Sequence, residues 1–495
     1  MIAMTESKEE APLKLRTART LKWNTIDRLA SQVLYGVVGV VLANLLSQED
    51  FGLVGVLVVF QSFAIIFADS GFGAALLQRK DPTEEDYSTV FWFNLIVSVS
   101  IYWVLWFCSP LIAEIFQKDQ RLIPLSKVMF LTFVFNALAI VQTNKLMKQM
   151  DVKMVAVSNL VAQIAGGAVG IVLAVNGYGA WAIVWQSVAL AAIKTSILWV
   201  TGHWLPCCWM KGESFRRIWR IGLSVFSSSM LNTVFLNVYT FVIGIWYSLR
   251  QVGVYTQADK WSKMGTASLS QVLTSTFVPL LSKFQNDADD FRRYVKKINR
   301  FTAFVLFPAM LGLAAVGEPL FHTLFGNKWD SAIILFQILC VRGIFVVLIS
   351  LYGNYLLSKG YGKQLFVIEL VKDTAIAVAI VATIFFHSVE ALVWGQLAAS
   401  VVTYAVVLWL TCRAIGYGVG NMLGDLASFF VSAMVVGAVC LAMIKINCPA
   451  ILLLAGQLAV GASAYVLIMW LGKFPELREA SSYLFGRFKG KRLKG

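Results

Sequence analysis

Apolar runs of about twenty residues recur along the whole chain, and they constrain its fold more than any other feature. LVGVLVVFQSFAIIFA, from Leu53, and ILLLAGQLAVGASAYVLIMWL, from Ile451, are two of them. A helix rises ~1.5 Å per residue, so such a run matches the ~30 Å hydrocarbon core of a bilayer. In lipid every backbone polar group must bond within its own structure, which leaves helices or closed barrels. Barrel strands alternate over ~10 residues instead of running continuously apolar, so a barrel is excluded. Hydropathy places fourteen spans, at 24–46, 51–77, 87–113, 123–145, 154–175, 179–200, 219–246, 253–281, 300–323, 331–357, 364–386, 389–411, 424–444 and 450–471. The expected fold is an all-α polytopic membrane protein of about fourteen transmembrane helices. With 58% of residues hydrophobic and 14% charged, the composition agrees. The opening twenty residues have no apolar signal-peptide core and read as a short cytoplasmic arm.

Charge orients the spans. With both termini in the cytoplasm, and charges at span edges counted with the loops, thirty Lys and Arg fall on the cytoplasmic side and five outside. Seven more lie within spans, at Arg28, Lys127, Lys194, Lys260, Lys263, Arg342 and Lys372. This is the positive-inside pattern. Span eight is the weakest by hydropathy, because its first half reads VGVYTQADKWSKM. Removing it would put QNDADDFRRYVKKINR outside and destroy the asymmetry. The net charge of +15 is thus mostly a topology signal and gives no reason to expect nucleic acid.

No loop is long enough to fold into a domain, and there is no phosphate-binding loop, dinucleotide fingerprint or HExxH. A nucleotide-driven engine, a cofactor and a metal site are therefore not expected. Three scattered histidines make no metal motif. Seven cysteines, most inside apolar runs, imply no disulfide framework. The adjacent Cys207 and Cys208 read as free thiols near a membrane surface.

The chain repeats weakly at a period of about 200 residues. Span two begins SQEDFGLVGV, from Ser47, and span eight SLRQVGVYTQ, from Ser248. Each is followed by an acidic loop, KDPTEEDYSTVFWF from Lys80 and FQNDADDFRRYVKKINRF from Phe284. Spans 1–6 and 7–12 thus read as two copies of one unit in the same orientation, an arrangement found in secondary transporters. The expected organisation is an arm at 1–20, a six-helix half at 21–201, a cytoplasmic linker at 202–218, and a second half at 219–413. An extra helix pair at 424–471 and a basic tail at 472–495 follow.

Charged residues inside a membrane are costly and usually face a bundle interior or a wet cavity. Asn24, Arg28, Ser31 or Gln32, and Tyr35 form one stripe on span one, with Asp27 beside it. Asp69, at similar depth on span two, is a candidate partner for Arg28; the alternative is that Arg28 snorkels to the cytoplasmic headgroups. On span eight Gln257, Lys260, Lys263, Ser270 and Thr274 share a face, and Lys263 lies ~15 Å below the outer surface at 1.5 Å per residue. Arg342 is near mid-depth on span ten. Span seven adds a polar band that includes Asn232 and Asn237. On span eleven Lys372 is expected to pair with Glu369, Asp373 or both, as structural glue or as a proton or ion site. Deep cations exceed deep anions, which suits an anionic substrate, since Lys and Arg bind phosphate well.

FGLVGVLVVFQSFAIIFADSGFGAALLQRK resembles the second-helix signature of bacterial Wzx-type polysaccharide flippases, and VGVYTQADKWSKM resembles their segment at the start of helix eight. The chain is similar to this family along its whole length. The resemblance implies membership of the superfamily that also holds multidrug antiporters and the lipid II flippase. It implies transfer of an undecaprenyl-pyrophosphate-linked oligosaccharide from the cytoplasmic to the periplasmic leaflet of a bacterial inner membrane. Two halves would alternate access around a cationic cavity. Arg28 and Lys260 match the family's basic residues and would hold the pyrophosphate, with Lys263 and Arg342 as further candidates. Asp27, Asp69, Asn232, Asn237, Gln257, Glu369, Lys372 and Asp373 are candidates for the cavity or for ion coupling. The expected partners are the lipid-linked substrate, membrane lipids and a polysaccharide polymerase, with the chain acting as a monomer. Many relatives have twelve spans, so spans 13–14 are either a lipid-accommodating groove or a C-terminal extension. A cation-coupled drug antiporter, with an essential buried acid such as Asp69, and a lipid II flippase are the alternatives. A membrane-bound polymerase or ligase fits poorly, because the outside loops are only a few residues long.

Overall fold

A computed structural model describes residues 3–479 except 70, 80, 203, 286 and 447; at 3–18, 21, 68–69, 74, 217–218, 220–221, 224–225, 271–276 and 278–279 it describes the backbone alone. Among the described residues there are helices and no strands. The helices are α1 (Ala3–Leu45), α2 (Gln48–Asp69), α3 (Phe72–Gln78), α4 (Glu84–Ile115), α5 (Leu122–Met129), α6 (Leu131–Lys148), α7 (Val152–Val175), α8 (Ala180–Gly202) and α9 (Gly212–Trp246). They continue with α10 (Leu249–Ser282), α11 (Ala288–Ala315), α12 (Gly317–Phe325), α13 (Asp330–Ser358), α14 (Gly362–Ile384), α15 (Val389–Ile415), α16 (Val419–Met443) and α17 (Ala450–Leu471). Among the described residues twelve stretches are both long and apolar enough to cross a membrane. The two further spans expected from the sequence, 253–281 and 364–386, fall on α10 and α14. These are helices of 34 and 23 residues; α14 carries Lys363, Glu369, Lys372 and Asp373, and the first half of α10 carries Arg250, Asp259, Lys260 and Lys263.

Several expected boundaries shift for identifiable reasons. The apolar run at 300–323 is divided: α11 ends at Ala315, and the Gly–Glu–Pro start of α12 opens a separate short helix. At its other end α11 extends twelve residues before the apolar run. There Phe291, Val295, Ile298 and Asn299 turn inward at helical spacing while Asp and Arg face out. The run at 123–145 is interrupted at Phe130, between α5 and α6.

The chain divides into two compact units, Met1–Gly253 and Val254–Gly495. In the first, α7 packs on α1 and α8 through small residues. A β-carbon at Gly167 would meet Val38 at 2.7 Å, and one at Gly166 would meet Leu190 at 3.1 Å. Small residues let membrane helices approach closely where no hydrophobic force drives them together. Helix α9 belongs to this unit, packing on α2, α3 and α4, with Phe226 against Phe67 and Phe241 against Phe116. The compact unit therefore extends one span beyond the six-helix half that the repeat outlines.

In the second unit α13 and α14 pack on α15, and α11 packs on α16. Phe304 and Phe307 of α11 meet Phe429 and Phe430 of α16. The Tyr465 hydroxyl of α17 donates to the Phe304 carbonyl at 2.8 Å. Just beyond α17, Glu476 and Glu479 hold Arg300 and Lys297 of α11 at 2.5 and 2.9 Å.

The repeated starts of α2 and α10 share one local device. Ser47 and Asp50 exchange side-chain to backbone hydrogen bonds at 3.0 and 3.1 Å. Ser248 and Gln251 do the same at 3.1 and 3.3 Å. Each is a capping box, satisfying donors that a helix start leaves open. The glycine five residues after each serine then meets the other helix. A β-carbon at Gly52 would lie 1.8 Å from the Leu249 carbonyl oxygen, and one at Gly253 would lie 1.8 Å from that of Gln48. The contact is reciprocal: each glycine faces the residue four positions before the other. All four lie within the first unit.

Candidate functional site

The densest polar face among the proposed site residues is on α10, in the second unit. Its capped first turn sets the helix rotation, and Gln257, Asp259, Lys260 and Lys263 follow within two turns. Gln257 is buried, and its side-chain oxygen accepts from the Trp261 indole at 3.2 Å. That fixes the Trp261 ring, over which the Lys260 ammonium lies at 5.7 Å from the centroid. An ammonium over an indole face is held by the ring quadrupole. Lys263 reaches back to Asp259 at 2.6 Å. Trp261 also packs on Phe325 of α12. The face thus presents two ammonium groups, one over an aromatic ring and one on a carboxylate, on a membrane-length helix.

The other candidates of the second unit have partners of their own. Arg342 on α13 directs its guanidinium at Ser400 of α15, with Nε donating to the hydroxyl at 3.2 Å. On α14 Lys372 is ion-paired to Glu369 and lies 4.0 Å from Asp373, so the expected trio forms as a local cluster.

In the first unit Arg28 is exposed and forms no ion pair among the described residues, whereas Asp27 is half-buried. Asp27 accepts from Asn159 of α7 at 3.0 Å and from Ser31 at 3.3 Å. It is also close enough to Lys194 of α8 to feel its charge. The sequence flagged Asp27 and Lys194 separately but gave no sign of Asn159, which occupies an ordinary position in an apolar span. Asp69 closes α2; its side chain, and so its pairing with Arg28, lies outside the described residues. Asn232 is exposed on α9, and Asn237 donates to the Thr233 carbonyl of its own helix at 3.0 Å. Among the described residues no three His, Cys, Asp or Glu side chains gather as a metal site would require.

The chain is similar to known membrane proteins over most of its length. It is 24% identical over 454 residues to the teichuronic acid biosynthesis protein TuaB of Bacillus subtilis, covering 90% of this chain and 94% of that one. It is 25% identical over 403 residues to the succinoglycan biosynthesis transport protein ExoT of Rhizobium meliloti, covering 80% of each. To the lipopolysaccharide biosynthesis protein WzxC of Escherichia coli it is 25% identical, over 70% of this chain and 71% of that one. Among solved structures, the lipid II flippase MurJ superposes with a TM-score of 0.74 at 12% identity, over 90% of this chain and 98% of MurJ. An inward-facing multidrug transporter of the MATE family gives 0.59 at 15% identity, over 78% and 94%. These two likenesses show that the chain shares their helical fold. Residues 41–334, which include the repeated capping boxes, both glycines and the whole polar face of α10, match the polysaccharide biosynthesis protein family, and the chain belongs to that family.

Proposed function

We propose that this chain is a flippase for lipid-linked oligosaccharides. It moves a polyprenyl-pyrophosphate-borne repeat unit from the cytoplasmic to the periplasmic leaflet of a bacterial inner membrane, for surface polysaccharide assembly. The observation that supports this reading is the α10 face, where Lys260 and Lys263 follow each other on a 34-residue helix inside the family match, on a stretch that the sequence expects to cross the membrane. Charges in that position are expensive and imply a charged cargo or partner. Two ammonium groups suit a pyrophosphate, and a drug cation would be repelled by them. ExoT is named a transport protein of succinoglycan biosynthesis, which supports the same chemistry.

In this reading Lys260, Lys263, Arg342 and Arg28 attract the pyrophosphate. Gln257, Asn232 and Asn237 offer hydrogen bonds to sugar hydroxyls, and the polyprenyl tail stays in lipid. Asp27, Asp69 and the Glu369–Lys372–Asp373 cluster are the candidates for ion coupling. Both termini are cytoplasmic, one copy suffices, no catalytic step is assigned, and a polymerase acting on the delivered unit is the partner class.

The test is lipid extraction from a strain lacking the gene. Complete polyprenyl-pyrophosphate-linked repeat units should accumulate, relieved by the wild-type chain but not by Lys260→Ala or Arg28→Ala at equal protein level. No accumulation, with raised sensitivity to cationic drugs instead, would overturn the reading in favour of a drug antiporter.

A further inference from the structure

Asp259 stands one turn before Lys263 on α10 and holds its ammonium at 2.6 Å. The partners differ in access: the Asp259 side chain is 13% exposed and that of Lys263 is 47% exposed. A buried acid therefore grips a cation whose other side is open. We infer that Asp259 is a positioning residue acting through Lys263. It competes with the anionic headgroup for that ammonium, weakens headgroup binding, and takes the ammonium back when the headgroup leaves. This rests on the reading of Lys260 and Lys263 as headgroup ligands.

A lysine ammonium is a compact charge with three donors on a flexible stem. It can change partners by rotating its own side chain, without moving the helix. An arriving pyrophosphate must share Lys263 with Asp259 or take it, and in both cases it meets a carboxylate of like charge. Such a juxtaposition opposes binding. Opposition of this kind serves a transporter. A site that carries its cargo onward must bind well enough to load and loosely enough to release, and tighter binding of cargo at every stage gives no gain in rate. Two unopposed ammonium groups would hold a pyrophosphate and keep it. Asp259 supplies a competitor already within hydrogen-bonding distance of the cation it must reclaim. Lys260 differs, being stationed over Trp261, whose indole is fixed by Gln257.

The test uses the full-length protein in lipid nanodiscs, titrated calorimetrically with inorganic pyrophosphate. Asp259→Asn keeps the shape of the side chain and removes its charge. It should bind pyrophosphate about tenfold more tightly than wild type, while the same variant exports polysaccharide more slowly in cells. Tighter binding with slower export is a pair of changes that loss of structure would not produce. In a Lys263→Ala background, adding Asp259→Asn should change affinity less than about twofold, because contacting residues are coupled and the coupling partner is gone. Asp259→Ser should repeat the gain, guarding against an effect peculiar to asparagine. Unchanged or weaker binding by Asp259→Asn, or an equal gain without Lys263, overturns the inference. If wild type binds pyrophosphate and Lys260→Ala abolishes it, the headgroup reading stands whatever Asp259 does. If wild type does not bind, or Lys260→Ala binds as well, the headgroup reading fails and the inference with it.

Discussion

Hydrogen is the only side chain that Gly52 and Gly253 can carry. A methyl at either would stand 1.8 Å from a backbone carbonyl oxygen of the other helix, and backbone cannot rotate away as a side chain can. We expect Gly52→Ala and Gly253→Ala each to cost about 1–3 kcal/mol, the usual range for overpacking, and to lower both thermal stability in detergent and export. Gly420→Ala, where nothing lies within 4 Å of the added carbon, is the control and should leave both unchanged. Spacing along the chain put both glycines at one repeat position. It held no information on whether two helices 200 residues apart meet, so the reciprocal contact was not legible. The Asp27–Asn159 bond was hidden for the same reason. A second residue-scale expectation lies between α4 and α5, outside the spans. There the Arg121 guanidinium bonds both Asp119 and Glu49. Its hydrogen bonds hold the Asp119 carboxyl below its ordinary value. A carboxyl lowered on folding stabilises above its unfolded value and loses that contribution as pH falls through the folded one. Protease cleavage within 117–121 should therefore rise as pH drops below about 4, and Arg121→Gln should remove that dependence. Cleavage insensitive to pH in the wild type would dismiss the clamp.

At the scale of elements, α10 shows where hydropathy is weak and charge decides. Its first half is too polar to read as a span by itself, yet omitting span eight reverses every later loop and ruins the positive-inside pattern. The break at Phe130 gave no such warning, because no glycine or proline stands there and only packing against neighbouring helices decides it. The connection between α8 and α9 read as a simple cytoplasmic linker, but it is strapped to α4. Trp204 donates to Glu84 at 2.7 Å and is buried, the Cys207 amide donates to Ser88 at 3.0 Å, and the Lys211 amide donates to Thr89 at 3.2 Å. Such bonds arise between segments more than 110 residues apart, beyond any local pattern. The strap leaves Cys207 exposed as a free thiol, which makes it a native topology probe. In a variant retaining Cys207 alone among the seven cysteines, a membrane-impermeant maleimide should label inside-out vesicles and spare intact spheroplasts. Labelling of spheroplasts instead would invert the orientation of every loop and with it the proposed direction of transport.

For the whole molecule the open question left by the sequence was whether the last two helices are an appendage. The packing within the second unit argues that they are not. Helix α16 covers α11 along Phe304 and Phe307, and Asn299, fully buried, donates to the Met422 carbonyl at 3.2 Å. On its other side the Tyr352 hydroxyl donates to Asn299 at 3.2 Å, which ties α13 into the same node. Beyond α17 the Arg300–Glu476 pair is 25% and 10% exposed, shielded enough that losing one partner leaves the other poorly solvated. Removing one member of such a charged hydrogen bond costs about 2–3 kcal/mol. A chain stopped after Gly418 would strip α11 of Met422, Phe429, Tyr465 and Glu476 together, exposing a buried asparagine and an unpaired arginine in their place. We expect that truncation to abolish accumulation of the protein in the membrane. Glu476→Ala, which breaks one tie and keeps the helices, should accumulate but unfold in detergent at a temperature several degrees lower. Normal accumulation and export by the truncated chain would show that α11 is completed without the pair, leaving α16 and α17 free for a separate role.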